Sequence, residues 1–124
     1  MTNNSQFHDG LFKGFLIDGT NVRVYQSNAE GVRFDAVATG VIALIAGGFR
    51  AGNIILDVLV LDSAEVTKQH IELYDLRPDV EGERQKEQLI AQVRQENLSL
   101  LEINPSYGGQ CVILARSIEI TTAH

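Results

Sequence analysis

The chain has no tryptophan, one cysteine and only three histidines, and each shortage closes off a class of function. Cys111 can form no internal disulfide, which suits a reducing compartment. It stands inside an apolar run and reads as a small buried hydrophobe. His8 and His124 lie near the two ends and His70 stands alone, so no zinc set assembles with Cys111. No Ser-His-Asp or Cys-His relay emerges either. Long apolar runs are also missing. The richest one, residues 37–49, carries Gly and Thr and is too short to cross a bilayer. The N-terminus "MTNNSQFHDG" has neither the basic start nor the apolar segment of an export signal. The expectation is a cytoplasmic protein with no membrane association. Basic residues are scarce: 10 Lys and Arg against 16 Asp and Glu give a net charge of −6. That balance is awkward for a protein that holds nucleic acid through its phosphates, unless bound metal ions supply local positive charge.

What is present suffices for one domain. The 124 residues are 44% hydrophobic, enough for a working core. Residues 1–10 read as a flexible tail and 11–124 as a single domain. Leu11 to Ile17 is a short apolar run ending at Asp18-Gly19, a turn signal. "NVRVY" alternates as a strand does, yet a loop also fits. From Phe34 to about Arg50, apolar residues recur at spacings of three and four, with Ala36, Gly40, Ala43 and Gly47 as a stripe of small residues. That spacing predicts a helix packed closely on a sheet. Ile54 to Leu61 is almost continuously apolar, as in a parallel strand buried on both faces. "HIELYDL" could hold a short strand. A polar helix follows from about Val80 to Glu96, with Leu89, Ile90 and Val93 on one face. "NLSLLEI" and "QCVILARSIEI" read as two closing strands. The rhythm predicts an α/β domain with parallel pairing. Were "NVRVY" and "HIELYDL" both strands, a two-layer α+β domain with an N-terminal hairpin would be the better description.

Function turns on Asp18. At the carboxyl end of a parallel strand, it would stand where such sheets place their sites. Asp62, at the end of the next strand, would share that edge, and paired carboxylates can hold Mg²⁺ or Mn²⁺ and activate water against a phosphodiester. Alternatively, Asp18-Gly19 is a hairpin turn with Asn21 as an ordinary turn residue, and Asp62-Ser63 a helix cap or turn.

"FLIDGTNV" resembles the opening motif of the NYN group of PIN-like ribonucleases, closest to the domain found with CCCH zinc fingers. "GFRAGN" before "ILDVLVL", and "QLIAQVRQENL" leading to "LLEINPSYGGQCVIL", are similar to later segments of that family. The resemblance implies a three-layer parallel sheet with flanking helices and metal-dependent cleavage of single-stranded RNA. Asp18 would be the first metal-binding acid and Asn21 its neighbouring amide. The match departs where the family has paired aspartates and this chain has Arg116 and Ser117, which implies an incomplete metal site. The expectations are therefore a PIN-like endoribonuclease or a degenerate relative that binds RNA or protein, and, from a different class, a non-enzymatic module for self-association or protein binding.

Overall fold

Alternation, not helical spacing, decides the fate of the segment after Arg33. In the computed structural model, which describes residues 2–3, 7–71 and 79–122, Phe34–Gly47 is a fourteen-residue strand. Its apolar positions satisfy a period of two as well as one of 3.6, because few positions in it are polar. Val37, Thr39, Val41, Ile42 and Ile45 are β-branched and favour the pleated backbone. The strand also changes phase at Gly40, whose φ is 67°, and at a register shift between Val41 and Ala43. That break hides the alternation from any single reading frame.

The elements are β1 (Thr2–Asn3), β2 (Leu11–Asp18), β3 (Asn21–Ser27), β4 (Phe34–Gly47), β5 (Asn53–Leu61), α1 (Lys68–Ile71), α2 (Val80–Glu96), β6 (Ser99–Tyr107) and β7 (Gln110–Thr122). Among the described residues every strand pairing is antiparallel. The parallel three-layer α/β sheet expected from the rhythm and from the NYN/PIN-like resemblance is therefore not the fold of this chain. Following neighbours from β2 through β3, β4, β7, β6 and β5 leads back to β2. The sheet thus closes on itself as a six-stranded barrel, with β1 added to β5 at Thr2↔Val60 and Asn3↔Leu59. Phe7 is wholly buried and meets the Phe34 ring edge-on at 5.3 Å. The possible strand in "HIELYDL" begins in α1, with His70 and Ile71, and its remainder lies outside the described residues.

Two apolar clusters share the sheet. Ile55, Val58, Leu101, Ile103, Cys111 and Ile113 point into the barrel. Their strand neighbours Leu61, Leu100, Val112 and Leu114 point outward, where they pack with Val93, Leu89 and Ile90 of α2. The near-continuous apolar runs are thus buried on both faces, as their composition requires, but by a helix laid on an antiparallel barrel. Helix α2 has the bounds that its pattern predicts. Asp79 caps it by accepting from the Gly82 amide at 3.0 Å, Glu81 and Glu83 occupy the first turn, and Asn97 closes it in the left-handed region. Among the described residues no helix is long and apolar enough to cross a membrane.

Candidate functional site

The segment that opened the functional question is a hairpin. Asp18 and Asn21 face each other as the last pair of β2 and β3, and Gly19 turns the chain with a φ of 61°. A positive φ at the first central residue alone is what a type II′ turn needs, and glycine supplies it without a Cβ penalty. Asp18 and Asn21 are both exposed. With Leu16, Val22, Arg23 and Val37 they line a shallow hollow of about 220 Å³ on the outer face of the sheet. Among the described residues Asp18 is the one carboxylate in that lining.

Antiparallel pairing also separates the two proposed metal ligands. Leu11 pairs with Ile54 and Phe12 with Asn53, so β2 runs from this contact toward Asp18 while β5 runs the opposite way toward Asp62. In a parallel sheet the two strand ends would share an edge; here they lie at opposite ends of the pairing. Asp62 is occupied locally: its Oδ1 accepts from the Ala64 and Glu65 amides, and Glu65 Oε1 accepts from the Asp62 amide. This is a reciprocal cap of a tight turn. Among the described residues no three His, Cys, Asp or Glu side chains stand together in a way that could hold a metal ion.

Comparison with family models, with curated proteins and with solved structures gives no match.

Arg84 and Arg94 have local partners. Both guanidinium arms of Arg94 donate to backbone carbonyls, one to Ser63 and one to Val66, tying the loop after β5 to α2. Arg84 donates to Glu81 at 2.8 Å on the same helix. Next to the hollow lies a cluster that sequence reasoning missed. Asp35 is fully buried on the outer face beneath Arg23 and Arg33, accepting at 2.8 Å from the first and at 2.9 Å through both oxygens from the second. The hydrogen bonds from Arg33, reinforced by Arg23, hold the Asp35 carboxyl below its ordinary range against the opposing effect of burial. Arg33 in turn lies 5.0 Å over the Tyr25 ring. An acid inside the apolar run "RFDAVA" was the available signal. A second missed residue is Glu102, buried on the helix-covered face. Burial pushes its carboxyl up, with Asp57 adding to the rise and His70 opposing it.

What the hollow borders is more telling than the hollow itself. Beyond Phe12, β2 is paired with β3 alone: among the described residues no strand lies along the other edge of Gly14–Asp18. In a hairpin with two loop residues the pair flanking the loop is hydrogen-bonded, so the groups facing the partner strand belong to Asp18, Leu16 and Gly14. The amides and carbonyls of Phe15 and Ile17 therefore point outward along the open edge. Leu16 and Ile17 are each 57% exposed. No charged residue interrupts the edge between Lys13 and Asp18. The corresponding open length of β7, beyond its last pairing with β6 at Ala115, carries Arg116 and Glu119 instead. Charges at an edge discourage pairing with another chain, so β7 is guarded and β2 is not.

Proposed function

We propose that this protein is a non-enzymatic association module whose working surface is the open edge of β2, where an extended strand adds to the barrel. The observation that carries the reading is the outward row of Phe15 and Ile17 backbone groups, beside exposed Leu16 and Ile17 and without an interrupting charge. Strand addition draws affinity from main-chain hydrogen bonds and specificity from the pockets for alternate side chains. The hollow formed by Leu16, Asn21, Arg23 and Val37 lies on the same face and would receive one such side chain. The buried, unpaired Cys111 is in keeping with an intracellular setting.

Replacing Ile17 by proline tests this directly. The Ile17 amide faces away from β3, so proline removes a donor from the open edge and leaves the hairpin ladder intact. The expected outcome is loss of binding to extended apolar peptides, followed by fluorescence anisotropy, with an unchanged far-ultraviolet circular dichroism spectrum. Amide exchange at Phe15 should be slow in wild-type protein whenever a strand occupies the edge, and fast in Ile17→Pro. Equal binding by Ile17→Pro and wild type would remove the edge from consideration.

A further inference from the structure

Resting on that reading of the β2 edge, we infer that the strand it receives is β2 of a second copy, paired antiparallel about a two-fold axis at Leu16. The argument starts from register. Two identical strands can pair antiparallel symmetrically only if one residue lies opposite itself. The outward groups belong to Phe15 and Ile17, which places Leu16 at the centre. Phe15 then meets Ile17 of the partner copy as a hydrogen-bonded pair, twice over by symmetry, and Leu16 meets its own counterpart as a non-hydrogen-bonded pair. Such an interface uses the same patch on both subunits and closes as a dimer without leaving a growing end.

Charge selects the same arrangement. The apolar stretch is bounded by Lys13 at one end and Asp18 at the other. Antiparallel pairing about Leu16 sets Asp18 opposite the partner's Gly14 and next to the partner's Lys13, an opposite-charge contact at both ends. Parallel pairing would set each charge against its like. Side chains follow suit. Gly14 carries none, so the facing Asp18 is not crowded. The two Leu16 side chains, each 57% exposed in the single chain, cover one another on the outer face. Phe15 and the partner's Ile17 adjoin on the inner face, extending the row begun by Phe12, Phe15 and Phe49, whose rings lie 5.1 Å (Phe12–Phe49) and 6.0 Å (Phe15–Phe49) apart.

The test combines mass and proximity. Light scattering after size exclusion is expected to give a dimer for the wild type and a folded monomer for Leu16→Arg, which brings two like charges face to face. In a Cys111→Ala background, Leu16→Cys is expected to cross-link completely under mild oxidation. A non-hydrogen-bonded antiparallel pair holds its Cα atoms about 4.5 Å apart, within disulfide reach. Val32→Cys, exposed but far from this edge, should stay uncross-linked. A wild-type monomer at all concentrations overturns the inference, as does a dimer that survives Leu16→Arg while Leu16→Cys fails to cross-link. A labelled "KGFLID" peptide separates the two levels. A monomer that binds the peptide and loses it in Ile17→Pro overturns the second copy alone, whereas one that does not bind it overturns the strand-addition reading as well.

Discussion

Gln26 sits where a barrel of this kind tolerates a polar group least. It follows Val22 and Val24 on the inward face of β3, is fully buried, and neither its amide nitrogen nor its oxygen has a hydrogen-bond partner among the described residues. Leaving such a group unsatisfied costs about 1–3 kcal/mol. Gln26→Met keeps the length of the side chain and removes both orphans, so it should raise the thermal midpoint; a lowered midpoint would mean that the amide is satisfied in solution. Asp35 is the opposite case, a buried carboxylate with three charged donor contacts. Its native pKa lies below the ordinary 3.8, so it binds a proton less readily folded than unfolded. The stabilisation it provides is complete at pH values above 3.8 and is lost as pH falls through the native value. Asp35→Asn is expected to cost about 1–3 kcal/mol near neutrality, and its stability should fall less steeply than that of the wild type below pH 3.8. Urea denaturation at several pH values measures both. Parallel acid branches for the two proteins would show that the carboxylate contributes nothing.

At the scale of the element, β4 is the decisive strand. It pairs with β7 along its whole length, from Phe34↔Thr122 to Gly47↔Gln110, yet with β3 only between Ala36 and Ala38. The bend at Gly40 and the shift after Val41 let one strand serve two sides of the barrel, as bulges and glycines do at corners. An added Cβ at Gly40 would stand 2.8 Å from Arg116 Cδ. That side chain can move aside, so the backbone conformation, with φ at 67°, is the larger obstacle. Gly40→Ala is expected to cost about 1–2 kcal/mol, read from the denaturant midpoint, and an unchanged midpoint would show that the bend does not need glycine. The same residues explain why the spacing in this segment points to a helix. Ala36, Gly40, Ala43 and Gly47 form a helical stripe on paper. In the fold, Ala36 and Ala38 fill the narrow barrel interior and Gly40 makes the bend. The helix α2, by contrast, is legible to its ends, because its cap, its acidic first turn and the face bearing Leu89, Ile90 and Val93 all lie within the segment itself.

For the whole molecule, the two apolar clusters lie on opposite faces of the same strands, so they should be lost together. Leu101 points into the barrel and Leu100 toward α2, both fully buried. Alanine at either position is expected to cost about 2–5 kcal/mol. Each variant should still show one transition, coincident by tyrosine fluorescence and by circular dichroism. Separate transitions in the Leu100 variant would show that the helix layer is a unit of its own. Local chemistry alone determined a good deal: a substantial apolar core, the run from Ile54 to Leu61 covered on both faces, the capped helix, a cysteine within an apolar run, and turn chemistry at Asp18-Gly19. Strand direction was decided only by the tertiary structure, because the apolar content of a strand reports that both faces are covered and not what covers them. Direction in turn decided that Asp18 and Asp62 lie at opposite ends, that Arg23 and Arg33 converge on Asp35, and that the edge of β2 is left open. Each of these depends on which distant segment lies alongside, a relation that no local pattern of residues encodes.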